Sequence, residues 1–124
     1  MEAEKQPEGS LVRGVADARS QPRFKLAVDI SVHSKTSGAL KGYTVDISQG
    51  GVSAILRLEV PLGEVVELDF TLSSGAVRIY AVVRQRNAFR YGFQFIEVNE
   101  TGEMIRTTCR ELAVAQFAKP PDRP

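Results

Sequence analysis

At 124 residues the chain has the length of one domain, and a chain of that size buries roughly two thirds of its unfolded surface, enough for one core without staples. Its formal net charge of +1 gives no bulk field that would draw in a nucleic acid polymer, so an anionic ligand must be held by a local cluster. A single cysteine, Cys109, excludes an internal disulfide, one cysteine with one histidine is a poor zinc set, and no apolar run approaches the ~20 residues of a membrane span.

The start, MEAEKQPEGS, is polar and mixed in charge, unlike a basic-then-apolar secretion signal, and together with the lone cysteine it points to a cytoplasmic protein. Residues 1–17 have little to bury and read as a flexible N-terminal arm. The folded domain is expected over 18–117. Beyond it, KPPDRP breaks any helix and leaves 118–124 as a disordered tail.

From Lys25 onward the apolar residues recur in twos. Leu26, Val28, Ile30 and Val32 form the first half-buried strand, and Ser37-Gly38 a turn. Tyr43, Val45 and Ile47 form the apolar side of a second strand, which stops at Gln49-Gly50-Gly51. Val52, Ala54 and Leu56 follow, then a Pro61–Gly63 turn, then Val66, Leu68, Phe70 and Leu72. Val77, Ile79, Ala81 and Val83 make a longer strand, and Phe89, Tyr91, Phe93 and Phe95 the last. Six short strands at near-regular spacing, each with one apolar face, predict an all-β fold. The spacing suits an antiparallel sandwich or barrel, and of the two a closed or nearly closed six-stranded antiparallel (split) β-barrel satisfies both the core and the strand edges. The period then becomes helical at Ile105, Cys109 and Leu112, behind Asn99 as N-cap and with Glu100 and Glu103 in the first turn. A C-terminal α-helix packed on the barrel is the expected ending.

The tetrapeptide VDIS occurs twice, at Val28–Ser31 and Val45–Ser48, but only the second copy runs into a glycine pair. Residues two apart share a strand face, so with Val45 and Ile47 inside, Asp46 and Ser48 are expected outside the barrel. Gly50 and Gly51 are expected to take positive φ and to keep the space beyond them open. The result is a shelf with one carboxylate, one hydroxyl and bare amides. An alternative is an ordinary turn in which Asp46 bonds backbone N–H groups two residues on.

Eleven arginines make close pairs common. Arg86 and Arg90 are read as bracketing the last hairpin, and Arg106 and Arg110 as the solvent face of the helix. Arg19 and Arg23 differ in flanking Pro22 just ahead of the first strand. His33 is read as a solvent-facing turn residue, and nothing ties it to Ser48 as a hydrolytic set. The aromatic residues lie at strand period and read as core.

Arg19-x-x-x-Arg23 before the first strand, with Asp46-x-Ser48-x-x-Gly51 between the second and third, resembles the PilZ domain family. The middle segment PLGEVVELDFTLSSGAVRIYAVV and the ending YGFQFIEVNETGEMIRTTCREL extend the likeness from Arg19 to Leu112. The resemblance implies a six-stranded barrel that binds the bacterial second messenger cyclic di-GMP, with no enzymatic activity and no cofactor. It implies ligand contacts from Arg19, Arg23, Asp46, Ser48, Gly50 and Gly51. A guanidinium can fork to phosphate oxygens, pair with the O6/N7 edge of guanine or stack on a purine, and a carboxylate can accept from guanine N–H groups. The implied device is a clamp: the arm carries Arg19 and Arg23 over the ligand onto the Asp46–Gly51 shelf and alters a surface read by an effector protein or by a second copy of the chain. Ala18, small and uncharged where relatives often carry arginine, points to one ligand molecule in place of an intercalated pair. The alternative reading is a barrel of the same family that acts as a protein-interaction adaptor without nucleotide.

Overall fold

Val66, Leu68, Phe70 and Leu72 are buried along one side of a single strand, and the same two-residue period recurs around a closed sheet. The computed structural model describes residues 21–96 and 100–117. The arm and tail, Ala18, Arg19 and the Asn99 cap lie outside the described residues. Seven strands precede one helix: β1 (Phe24–Lys25), β2 (Asp29–Ser34), β3 (Gly38–Ile47), β4 (Gly51–Leu56), β5 (Val65–Leu72), β6 (Gly75–Asn87), β7 (Arg90–Phe95) and α1 (Glu100–Phe117).

All pairings are antiparallel. They run β3–β2–β5–β6–β7–β4, and β4 pairs back onto β3, so six strands form a closed barrel without a free edge. The short β1 is the extra strand, joining β3 where Phe24 faces Ile47. What reads as one opening strand in the sequence is thus two pieces laid along the same side of β3. The intervening backbone still bonds to β3, Leu26 N–H to Val45 O at 3.1 Å and Thr44 N–H to Val28 O at 2.8 Å.

The interior is apolar, built from residues such as Ile30, Val32, Leu68, Ile79 and Tyr91, each almost wholly shielded from water. Each such aliphatic side chain contributes about 1.5–3 kcal/mol relative to an exposed one. The Tyr91 hydroxyl is satisfied by the Val60 N–H at 3.1 Å. Three aromatic residues of the expected core set face water instead, among them Tyr80 at 45% exposure. Tyr43 is 56% exposed and Phe89, which follows Ala88 in the turn between β6 and β7, is 61% exposed. His33 lies within β2, where its Nε2 stands 2.9 Å from Asp69 Oδ2, and is not a turn residue.

Helix α1 buries Ile105 and Cys109 against the barrel and packs on β1, β5 and β6. Glu100 and Glu103 sit in its first turn, where the helix dipole favours negative charge. Ser73 donates to Glu111 at 2.7 Å, and near the other end the Gln116 amide brackets Lys25, accepting from its N–H and donating to its carbonyl, both at 3.0 Å. No helix among the described residues is long and apolar enough to cross a membrane.

Candidate functional site

The site begins with a break in the alternation of β3. Thr44 faces Ala54 of β4, but the next matched pair is Asp46 with Ser53, leaving Val45 as an extra residue. Such a bulge reverses the facing of everything beyond it. Thr44 therefore points inward and is buried, while Asp46 points outward and Ile47 inward. Unbroken alternation from Tyr43 predicts the opposite for Tyr43 and Thr44. The Thr44 hydroxyl donates to the Leu26 carbonyl and accepts from the Val28 N–H at 2.9 Å, so it is satisfied where it is buried.

On the outer wall Asp46 gathers three side chains. Its Oδ1 accepts from Arg23 at 3.0 Å and from the Ser53 hydroxyl at 2.8 Å, and its Oδ2 accepts from Arg90 at 2.8 Å. The carboxylate is 16% exposed, whereas the two arginine side chains are half exposed. Two guanidinium groups around one carboxylate leave a net positive charge at the surface. The guanidinium groups keep further N–H donors directed at solvent, because each carries five.

The glycine turn is held by serine and not by aspartate. Ser48 N–H bonds Gly51 O at 2.8 Å, and the Gly50 N–H donates to Ser48 Oγ at 3.2 Å. Ser48 is buried. Its hydroxyl closes the turn, a correction to the expectation that it stands free on the outer face. The local bonding expected of an Asx turn is present, with Ser48 in the role assigned to Asp46. Neither Gly50 nor Gly51 has positive φ; the positive-φ glycines among the described residues are Gly38, Gly63 and Gly75. Space is what these positions require. A Cβ on Gly51 would stand 2.3 Å from the Phe93 carbonyl oxygen of the neighbouring strand, and one on Gly50 would stand 2.6 Å from Gln21 Oε1. That Gln21 oxygen is buried and has no hydrogen-bond partner.

Arg23 stands between two grooves. One, of about 270 Å³, is bordered by Arg23, Ser48, Gly50, Gly51, Arg84 and Gln94. The other is bordered by Arg23 together with Asp46, Ser53, Leu62, Arg86 and Arg90. Five of the residues singled out in the sequence, Arg23, Asp46, Ser48, Gly50 and Gly51, are therefore gathered at one place on the barrel wall. Arg19 lies outside the described residues. Sequence reading missed Ser53, Arg84, Arg90 and Gln94. Arg90 does lie at the last hairpin, as its spacing from Arg86 predicts, but its guanidinium reaches back to Asp46. Ser53, a hydroxyl between Val52 and Ala54, is the one of these four with a local signal, since the two-residue period turns it outward with Asp46.

The remaining chemistry is scattered. His33, Asp69 and Arg78 form a separate ion-paired group on β2, β5 and β6, with Arg78 Nε 2.8 Å from Asp69 Oδ1. Burial acts to raise the Asp69 pKa, but hydrogen bonds from Arg78 and His33 and the charges of both hold it below the ordinary carboxylate value. Among the described residues no group of three or more His, Cys, Asp or Glu side chains is placed to hold a metal ion.

The family model described as "PilZ domain" matches residues 17–111. Among solved structures, the chain is similar to the PilZ domain of CeSA from a cellulose synthesizing bacterium, at 17% identity and TM-score 0.58 over 77% of this chain and 99% of that one. It is similar to the PilZ domain with c-di-GMP of YcgR from Escherichia coli, at 17% identity and TM-score 0.60 over 82% of this chain and 98% of that one. A third likeness is to the inhibitor of motility MotI/DgrA of Bacillus subtilis, at 18% identity and TM-score 0.69 over 80% of this chain. The match spans only 53% of the Bacillus protein. At these identities the likeness concerns the fold. No curated protein matches the chain.

Proposed function

The chain belongs to the PilZ domain family, and from that premise and the geometry around Asp46 we propose that it is a receptor for cyclic di-GMP, without enzymatic activity of its own. The observation that carries the reading is the grip of Arg23 and Arg90 on Asp46 beside a glycine turn and an open cleft. Donors with a net positive charge suit the two phosphates and the guanine O6/N7 edges of the ligand. Asp46 supplies the acceptor that guanine N–H groups need, once an arginine turns from it to the ligand. Ser48 contributes by fixing the turn, and Gly50 and Gly51 by letting that turn lie close against Gln21 and the Phe93 backbone at the border of the cleft. Arg19, four residues before Arg23, is assigned to the same ligand. The solved PilZ domain of YcgR, which contains c-di-GMP, supports this choice of ligand.

Titration calorimetry with cyclic di-GMP, using GTP and GMP as controls, tests the reading. Saturable heat with the cyclic dinucleotide alone is expected. Absence of heat with all three would favour the protein-interaction adaptor.

The clamp belongs to the same proposal. Residues leading into Arg23 close over the ligand, and the altered surface is read in the cytoplasm by an effector protein or a second copy of the chain. Amide hydrogen exchange around Arg19–Arg23 is expected to slow on saturation with cyclic di-GMP, and unchanged exchange there would rule the clamp out.

A further inference from the structure

We propose that Arg84, set by Gln94, is a further ligand-binding residue and forms the phosphate-binding floor of the cleft beside Gly51; the inference rests on the cyclic di-GMP reading above. The carrying observation is a second bulge. Along β6 and β7, Val83 faces Phe93 and the next matched pair is Gln85 with Gly92, so Arg84 is the extra residue. A bulge re-aims the side chain it carries, and this one aims Arg84 into the cleft that Ser48, Gly50 and Gly51 border.

The Arg84 guanidinium is oriented before any ligand arrives. Its Nε donates to Gln94 Oε1 at 2.6 Å, and Gln94 lies directly across the β4–β7 ladder from Gly51. With Nε engaged, the two terminal nitrogens remain as a parallel pair of donors, the geometry that forks onto two phosphate oxygens. Among the described residues the charge of Arg84 is also uncompensated. Arg23 and Arg90 share Asp46, Arg86 faces Glu59 at 3.5 Å and Arg78 faces Asp69, but no carboxylate stands within salt-bridge distance of Arg84 among the described residues. None of the described residues bordering the cleft is acidic. A fixed cation in a groove floored by glycines, with its neutral partner supplied by the same sheet, is built for an anion. Because it sits on paired strands and not on the leader that carries Arg23, it loses little freedom on binding.

The test is calorimetric titration of the whole chain with cyclic di-GMP at two salt concentrations, for wild type, Arg84→Gln, Arg84→Lys and Gln94→Leu, with thermal melts as the control for folding. The expected result is a loss of about 10- to 100-fold in affinity for Arg84→Gln, with a shallower salt dependence because one charge contact is gone. Arg84→Lys is expected to keep the salt dependence while losing affinity, since a point charge replaces a fork. Gln94→Leu is expected to weaken binding several-fold in wild type and to have no further effect in the Arg84→Gln background, a dependence that separates positioning from a structural role. Wild-type affinity and salt dependence in Arg84→Gln would overturn the inference while leaving the receptor reading intact. Failure of the wild-type chain to bind would overturn both.

Discussion

Arg90 and Asp46 lie 44 residues apart in the chain and meet at 2.8 Å on the barrel wall. β4 separates the strands that carry them and contributes Ser53 to the same group. The carboxylate is thus held from both sides, by Arg90 on a paired strand and by Arg23 on the segment that enters β1. Only the Arg23 side is free of the barrel ladder, so ligand exchange is expected at that contact and Arg90 is expected to keep Asp46 in place.

Arg23→Ala should therefore weaken cyclic di-GMP binding by about 1–3 kcal/mol, or roughly 5- to 150-fold, with little change in thermal stability. Arg106→Ala removes a helix-face arginine paired with Glu103 and should leave affinity at the wild-type value. Calorimetric titration of both variants checks the pair. Equal losses would contradict the placement of the site.

The two glycines of the turn should respond differently to a methyl group. In Gly51→Ala the new Cβ meets backbone, the Phe93 carbonyl, and the β4–β7 ladder must shift; a loss of about 1–3 kcal/mol in urea unfolding is expected. In Gly50→Ala the first obstacle is the end of the Gln21 side chain, which can swing aside. That variant should unfold at nearly the wild-type urea concentration.

Acid stability should depend on Glu64. Its Oε2 accepts from Ser34 Oγ at 2.7 Å and from the Lys35 N–H at 2.7 Å, and the bond from Ser34, more than the opposing effect of burial, holds its pKa below 4.5. For a carboxylate with a depressed folded pKa, the added stability is complete above the unfolded value and is lost as pH falls through the folded one. Urea midpoints followed from neutral pH down past 4.5 should fall in wild type. In Glu64→Gln they should start lower and fall less steeply over that window.

Cys109 should be inert until the protein unfolds. It is buried on the inner face of α1, and burial pushes its thiol up to about 11, so the reactive thiolate is scarce at neutral pH. A thiol reagent should label it at the rate of unfolding, not at the rate of an exposed thiol. Rapid labelling in native buffer would show that the helix parts from the barrel.

Much of this architecture is legible in the sequence because strand burial has a strict period. Val66 to Leu72 and Val77 to Val83 alternate without interruption, and the barrel core can be read from them directly. The same logic fails where an extra residue enters. Val45 and Arg84 are each one residue too many, and no local composition marks them, since a bulge is fixed by the partner strand and not by its own letters. Tyr43 is therefore misread as core, yet Asp46 still comes out on the wall, because the bulge lies between them. Arg90 and Gln94 belong to the site through pairings of β7 with β4, contacts between segments distant along the chain that carry no local pattern. The role of Ser48 is misread for another reason: a serine two residues before a glycine can serve a ligand or its own turn, and the spacing is the same for both.

Gln116 gives the far end of the helix a share in all of this. Its amide takes up the N–H and the carbonyl of Lys25 as a neighbouring strand would, two residues beyond Arg23. Any pull on that arginine is therefore resisted, through a pair of hydrogen bonds, at the last turns of α1. The terminal helix is thereby tied to the short strand that directly follows the gripping side chain, so loosening the helix end frees the backbone on which Arg23 is mounted.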